Sequence, residues 1–182
     1  MKATGIVRRI DDLGRVVIPK EIRRTMRIRE GDPLEIFTDR EGEVILKKYS
    51  PISELSQFAG EYADSASNVL GDMVLVSDTD HIIAVAGGSK RDFMDKRIGK
   101  DLEKVIEEKS SKIVLEKGAL FAVTDEENPS DFESQVFVPI ISQGDVIGSI
   151  IILSKDNKNP LGETELRAAE IGANFLARQM EN

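Results

Sequence analysis

Five arginines near the N-terminus are the residues of this 182-residue chain with the clearest chemical potential. They are Arg8, Arg9, Arg15, Arg23 and Arg24. The planar guanidinium group donates paired hydrogen bonds to phosphate oxygens or to the O6 and N7 atoms of guanine, so this cluster suits nucleic-acid binding. A solvated face explains the cluster equally well, because exposed ion pairs are common in proteins. The carboxylates available for such pairs are Asp11, Asp12, Glu21 and Glu30.

The charge of the chain is divided unevenly along its length. The net charge is −8, but residues 1–29 hold 9 basic and 3 acidic side chains, a local charge of +6. Residues 1–50 carry +3 and residues 51–182 carry −11. This division is typical of a protein in which one part meets phosphate and the other does not.

Short elements must position the arginines. The pattern predicts two strands around a turn at 11–14, a small helix, and a hairpin around residues 40–42. Their predicted ranges are 4–10, 15–18, 20–27, 34–38 and 43–48. Arg8 and Arg9 end the first strand and Arg15 begins the second, so we expect them to lie close together. A unit of this size buries little apolar surface, and we predict that two copies fold together as an obligate dimer.

The pattern changes near Pro51, and we place the boundary between two domains there, at 1–50 and 51–182. The second domain is predicted to be α+β, with a sheet flanked by its first helix, 53–70, and its last helix, 163–180. Apolar residues recur every three or four positions on both helices, which suits a core face or a helix-helix seam. The two stripes are Leu55, Phe58, Tyr62, Ala66 and Val69, and Leu166, Ala169, Ala173, Leu176 and Met180. A seam between chains would allow a tetramer as well as a dimer.

The N-terminal segment resembles the AbrB family of transition-state regulators. The resemblance covers essentially all of residues 1–50, and it runs through residues 5–8, 13–19, 34–36 and 45–49, together with Asp11, Glu21, Arg23 and Arg24. It implies a β-rich swapped-hairpin barrel formed by two chains, which binds double-stranded, A·T-rich DNA. It also implies DNA contacts by Arg8, Arg15, Arg23 and Arg24, and a phosphate contact by Arg9. With its second domain, the whole chain is similar to sporulation regulators that activate or repress transcription.

The second domain resembles the GAF sensor fold. The resemblance rests on Val138–Ile141, Val146–Ile150 and the amphipathic helix after Leu161. It implies either a pocket for a small molecule or a domain that serves only to dimerise, and it assigns no ligand-binding residue. Segment 87–90 is interpreted as a turn or pocket rim, and the acidic stretch 124–133 as a solvated loop.

The sequence predicts no catalytic residue, no metal site and no cofactor, and therefore no enzyme. Cysteine is absent and His81 is the only histidine, so thiolate chemistry and thiolate metal sites are excluded. No apolar run reaches the roughly 20 residues that span a bilayer, and the N-terminus has no secretory pattern. We therefore expect a cytoplasmic, nucleoid-associated transcription regulator. The alternative is an antitoxin-like module that binds a protein partner.

Overall fold

A computed structural model describes residues 5–50, 52 and 56–180 of the chain. The chain divides into two compact units, Met1–Tyr49 and Ser50–Asn182. No helix among the described residues has the length and apolar character needed to cross a membrane.

The N-terminal unit contains one short helix and one hairpin. Helix α1 spans Lys20–Thr25, and strands β1, Leu34–Thr38, and β2, Val44–Lys48, pair antiparallel. The hairpin turn is closed by Asp39, whose Oδ1 accepts hydrogen bonds from the backbone N–H groups of Glu41 and Glu43, both at 2.9 Å. Gly42 adopts a φ of +84°, a conformation that favours glycine. The predicted hairpin is thus confirmed.

The two strands predicted at 4–10 and 15–18 are not formed within the single chain. Residues 5–10 and 15–18 have no strand structure, and Thr4 lies outside the described residues. A strand needs a hydrogen-bonded neighbour, and these two segments are joined around their turn, where the Asp11 N–H donates to the Arg15 carbonyl at 3.0 Å. The apolar residues that suggested the strands are exposed, as at Val7, Ile10 and Val17.

The second unit is an α+β domain, as the sequence predicts. Its helices are α2, Ser56–Leu70; α3, Lys90–Phe93; α4, Lys100–Glu107; and α5, Glu163–Gln179. Its strands are β3, Met73–Ser77; β4, Ile82–Ala86; β5, Lys112–Val114; β6, Ser134–Ser142; and β7, Asp145–Ser154. They form one antiparallel sheet in the order β4-β3-β7-β6-β5. Sequence reasoning missed β5 and the short helix α3.

Each face of this sheet carries its own apolar core, because side chains of a strand alternate between the two faces. Val74, Val76 and Ile152 belong to the core beneath α2 and α5. Leu75 and Ile151, at the alternate positions, belong to the opposite core with the buried side chains of α4. The sheet is therefore buried on both sides.

The contact between α2 and α5 corrects one part of the sequence analysis. The predicted stripe on α5 is largely confirmed, since Ala169, Ala173 and Leu176 are buried. On α2 the stripe is confirmed in part, since Tyr62 and Ala66 pack against the core. The buried positions of this helix are Ala59, Ala63 and Ser67, while Phe58 and Val69 are 40% and 83% exposed. Leu55 lies outside the described residues. The small side chains of Ala59 and Ala63 belong to the core, whereas Phe58 and Val69 are left on the outer side.

Tyr62 fixes the packing of the two helices. Its hydroxyl donates to the Ala168 carbonyl at 3.0 Å, and burial raises the pKa of Tyr62 to about 12. A side chain at Gly172 would collide with the Tyr62 ring, so only glycine allows this close approach.

Candidate nucleic-acid interface

All five arginines singled out in the sequence are exposed. Arg8 and Arg9 lie in the chain before the turn, and Arg15 lies directly after it. Arg23 and Arg24 lie in the last turn of α1. The structure therefore places the arginines in two groups, one at the turn and one on the helix. No hydrogen bond or ion pair joins the two groups within the described part of the unit.

Asp11 organises the turn that carries Arg15. Its Oδ1 accepts hydrogen bonds from the backbone N–H groups of Leu13, at 3.0 Å, and Arg15, at 2.7 Å. Its Oδ2 accepts a further bond from Arg15 Nε at 2.8 Å. The backbone bond from Arg15 and then its side-chain bond hold the pKa of Asp11 below its usual range. Gly14 adopts a φ of +75°, which allows the chain to reverse here.

This geometry gives Asp11 a role that sequence reasoning missed. The sequence offered Asp11 only as an ion-pair partner, whereas in the structure it fixes both the backbone and the side chain of Arg15. The contact uses Nε, so the two terminal guanidinium nitrogens are left for another acceptor. The spacing Asp-x-x-Gly-Arg, typical of an Asx-stabilised turn, was the available signal.

The helix that carries Arg23 and Arg24 has well-defined ends. It begins after Pro19, the one buried residue among the described residues 5–50, as a proline suits the start of a helix. It ends earlier than predicted because Arg27 adopts a left-handed φ of +53°. The Ile28 N–H then donates to the Arg23 carbonyl at 2.8 Å, a bond typical of helix C-termini.

Lys48 is a second residue that sequence reasoning missed. Its Nζ donates to the Arg27 carbonyl at 3.3 Å and forms an ion pair with Asp32, also at 3.3 Å. Both side chains are partly buried. Lys48 thereby holds the end of α1 against the end of β2, which positions the helical arginines. In the sequence, Lys47 and Lys48 are simply two lysines at the end of a predicted strand, and nothing in that pattern indicates that Lys48 anchors α1.

Within the described residues, an ion pair involves only one of the five arginines. Arg15 pairs with Asp11, but Arg8, Arg9, Arg23 and Arg24 form no ion pair with any described residue. Four exposed guanidinium groups without a carboxylate partner are able to bind an external anion without first breaking an internal contact.

The second unit holds a separate candidate site, a cavity of about 600 Å³ at one end of the sheet. The loop Gly87–Ser89 lines it, in agreement with the interpretation of this loop as a pocket rim. The interpretation of 124–133 as a solvated loop is wrong in part. Thr124 and Phe132 are buried, and the Glu127 carboxylate folds back to accept a hydrogen bond from the Val123 N–H at 2.9 Å.

His81 lies at the turn before β4. The Asp78 carboxylate shapes this turn by accepting from the backbone N–H groups of Asp80 and His81, both at 2.6 Å. The aspartates of this segment thus have a structural explanation.

Comparison with known proteins identifies relatives of both units. Residues 54–181 match the family described as stage V sporulation protein T C-terminal, transcription factor, and residues 7–54 match the family of MazE bacterial antitoxins. Stage V sporulation protein T of Bacillus subtilis (strain 168) is 59% identical over 181 residues, which cover 100% of this chain and 99% of that protein. The transition state regulatory protein AbrB of the same organism is 51% identical over 77 residues, 42% of this chain and 78% of AbrB.

Solved structures identify the fold of the second unit. The GAF domain of a phosphoenolpyruvate-protein phosphotransferase from Coxiella burnetii aligns with a TM-score of 0.57 and 16% identity, covering 70% of this chain and 82% of that one. A methyl-accepting chemotaxis protein fragment aligns with a TM-score of 0.57 and 17% identity, covering 71% and 94%. The comparisons confirm both resemblances seen in the sequence, to AbrB regulators and to the GAF fold.

Proposed function

The chain belongs to the family of stage V sporulation protein T transcription factors, and from that membership we propose that it regulates sporulation genes by binding double-stranded DNA. The proposed contacts are Arg8, Arg9, Arg15, Arg23 and Arg24. The observation that carries this assignment is the absence of any ion-pair partner for four of these exposed arginines among the described residues. Such contacts hold the phosphate backbone, and we propose a preference for A·T-rich, deformable sites read mainly by shape.

Single alanine substitutions test these contacts. Arg24→Ala removes a guanidinium group that has no internal partner, so we expect weaker DNA binding without loss of folding. Arg40→Ala is the matched control, because it removes one charge from the hairpin of the same unit, outside the proposed set. Equal affinity of the two variants, measured by fluorescence anisotropy on one duplex, would refute the role of Arg24.

We further propose that the N-terminal units of two copies interleave as a swapped-hairpin barrel. The support is burial: of the described residues 5–50, only Pro19 is buried, whereas Val7, Ile10 and Val17 are 84%, 70% and 71% exposed. A unit with so little buried surface cannot offset its conformational entropy alone. A second copy would cover these side chains and supply strand partners for segments 5–10 and 15–18.

The second unit offers a surface for higher assembly, and we propose that it joins two dimers into a tetramer. Ile171 and Phe175 of α5 are 71% and 42% exposed, and the Phe175 ring lies 6.2 Å from that of Phe58 on α2. Val69 of α2 is also exposed, at 83%. Ile171→Asp in the full chain should leave a dimer in sedimentation equilibrium, and a tetramer that survives this change would count against the interface.

In this proposal the GAF-like domain adjusts DNA occupancy by binding a small molecule or by assembly, and the chain is not an enzyme. The family is one of transcription factors, and we propose that this protein binds DNA in the cytoplasm. A second candidate function is antitoxin-like binding of a protein partner, which the antitoxin match over residues 7–54 favours. Purification from the native cell with a stoichiometric toxin would support that alternative, and purification without one would leave DNA binding as the function.

A further inference from the structure

The cavity of the second unit contains polar atoms that the protein itself does not satisfy. Thr124 is 1% exposed and lines the cavity, and its hydroxyl has no hydrogen-bond partner. Glu127 also lines the cavity, and its Oε1 is buried without a partner. A buried polar atom left unpaired costs free energy, so two such atoms at one cavity require an explanation.

The Glu127 carboxylate is held in place by its other oxygen. Oε2 accepts hydrogen bonds from the backbone N–H groups of Val123, at 2.9 Å, and Thr124, at 3.3 Å. These bonds fix the carboxylate against the loop and leave Oε1 as an acceptor with a defined position. The Thr124 hydroxyl, on the same loop, is a second acceptor.

The charge around the cavity favours a positively charged group. Five carboxylates and two lysines line it, a net charge of −3 when all are ionised. The carboxylates are those of Asp72, Asp92, Glu126, Glu127 and Asp131. Lys96 is paired with Glu126 at the rim, and Lys155 lies over the Phe132 ring, 5.3 Å from its centroid.

A metal ion fits this arrangement poorly. Among the described residues, three or more acidic or histidine ligand atoms come within 4.8 Å of one another only at Asp39, Glu41 and Glu43, in the hairpin turn of the other unit. The cavity carboxylates do not converge in this way. Its walls also include Met73, Phe93 and Leu153, which suit an apolar body.

From these observations we propose that the cavity binds a small organic amine, with its ammonium group donating to Glu127 Oε1 and the Thr124 hydroxyl and its apolar body against Met73, Phe132 and Leu153. An ammonium group has three N–H donors and no acceptor, so it matches a site that offers a carboxylate oxygen and a hydroxyl oxygen as acceptors. The volume of about 600 Å³ is that of an ordinary small-molecule site. This inference rests on the proposed role of the GAF-like domain as a sensor, and it assigns the class of its ligand.

Three probes of similar shape test the head group on the full-length protein by isothermal titration calorimetry. Phenethylamine carries the ammonium group, 2-phenylethanol is neutral, and 3-phenylpropanoate is anionic. We expect the amine to bind at least about tenfold more tightly than the other two, as a charge-assisted hydrogen bond contributes that much. Equal binding of the three probes, or no binding of the amine at about 10 mM, would overturn the proposal.

Two variants test the residues. Glu127→Gln retains an oxygen for the Val123 and Thr124 N–H groups but replaces the second acceptor with a donor, so the loop should fold while amine affinity falls about tenfold or more. Glu116→Gln, at an exposed glutamate of the same unit that does not line the cavity, is the matched control and should bind the amine as the parent does. A loss in both variants, or in neither, would contradict the assigned contact.

Thr124→Val tests whether the Thr124 hydroxyl serves amine binding or the stability of the fold. Valine has nearly the same shape and removes a hydroxyl that is buried without a partner, so we expect a higher melting temperature together with weaker amine binding. A variant that is less stable and binds the amine normally would refute the role of Thr124.

DNA affinity measured with and without saturating phenethylamine tests whether binding at the cavity also regulates DNA binding. A change in DNA affinity supports both the cavity ligand and the sensor role. Amine binding that passes the tests above without changing DNA affinity would support the site and contradict the sensor role.

Discussion

The two units of the chain differ in how far each buries its own apolar side chains. In the second unit both faces of a five-stranded sheet are covered by apolar side chains from the same chain. In the first unit, Pro19 alone is buried among the described residues, and apolar and cationic side chains are both exposed. The second unit thus buries its apolar side chains within one chain, whereas the first unit leaves most of its apolar side chains exposed, and we propose that other molecules cover them. On the proposal above, these are a second copy and DNA.

The largest effect is expected from the core of the second unit. Phe137 is fully buried, and its ring packs edge-on against Phe121 with centroids 6.3 Å apart. Phe137→Ala should lower the free energy of unfolding of this unit by about 3–5 kcal/mol, measured by urea denaturation. Leu115→Ala, at a position 55% exposed, should have little effect. Similar losses from both changes would mean that the unit lacks the core described.

The matching test in the first unit targets assembly. Val17 is 71% exposed in the single chain, and the proposed dimer covers it. Val17→Asp should weaken dimerisation by about 2 kcal/mol, roughly thirtyfold, because it buries a charge in place of an apolar group. Leu115→Asp places the same charge on the second unit and serves as the control. If sedimentation equilibrium gives the same dimer dissociation constant for both variants, Val17 does not lie in a dimer interface and the proposed difference between the units is wrong.

A smaller effect tests whether the second unit depends on its own helix contacts. Tyr62→Phe removes the hydroxyl that donates to the Ala168 carbonyl and leaves the ring against Gly172. We expect a loss of about 1 kcal/mol in the stability of this unit, with DNA affinity unchanged. An altered DNA affinity would show that the packing of α2 and α5 is coupled to the first unit.

The smallest effects concern pH, and they have opposite signs in the two units. Burial raises the pKa of Glu127, so its folded state holds a proton more tightly and the second unit loses stability as pH rises through that pKa. The Arg15 hydrogen bonds lower the pKa of Asp11, so its contribution is present above the usual range of an aspartate and is lost as pH falls through the lowered pKa.

NMR titration of the two carboxyl groups measures these directions. Glu127 should titrate above, and Asp11 below, the ordinary values of about 4.3 and 3.9. Glu127→Gln removes this titrating group, so the stability of the second unit should depend less on pH between the ordinary pKa of a glutamate and neutral pH. A Glu127 that titrates normally would place its carboxylate in solvent rather than at the cavity.

The sequence predicted most elements of the second unit because each has a local signal. The run Met73–Ser77 is apolar and bounded by turn residues, and the amphipathic period of α5 selects its buried face. On α2 the period was correct and Tyr62 and Ala66 of the predicted stripe pack against the core, but the buried Ala59 and Ala63 were missed because they carry weaker apolar signals than Phe58. Close packing against the sheet, which no local pattern reveals, decided the outcome.

The sites were predictable to different degrees. The arginines are visible in the sequence because charge and spacing are local properties. The role of Asp11 in fixing Arg15 and the anchoring of α1 by Lys48 depend on the three-dimensional path of the chain. The cavity was hidden for the same reason, since Thr124 and Glu127 lie in a stretch whose composition resembles a solvated loop.

The salt dependence of DNA binding tests the central claim most directly. The full-length protein and a variant with Arg8, Arg15, Arg23 and Arg24 all changed to alanine would be titrated on one duplex at several salt concentrations, after sedimentation has shown that both are dimers. About eight phosphate contacts per dimer predict a log-log slope near −7 for the parent, and the variant, which keeps Arg9, should bind much more weakly with a far shallower slope. A shallow slope that the two proteins share would contradict the account and leave the arginines as a solvated face.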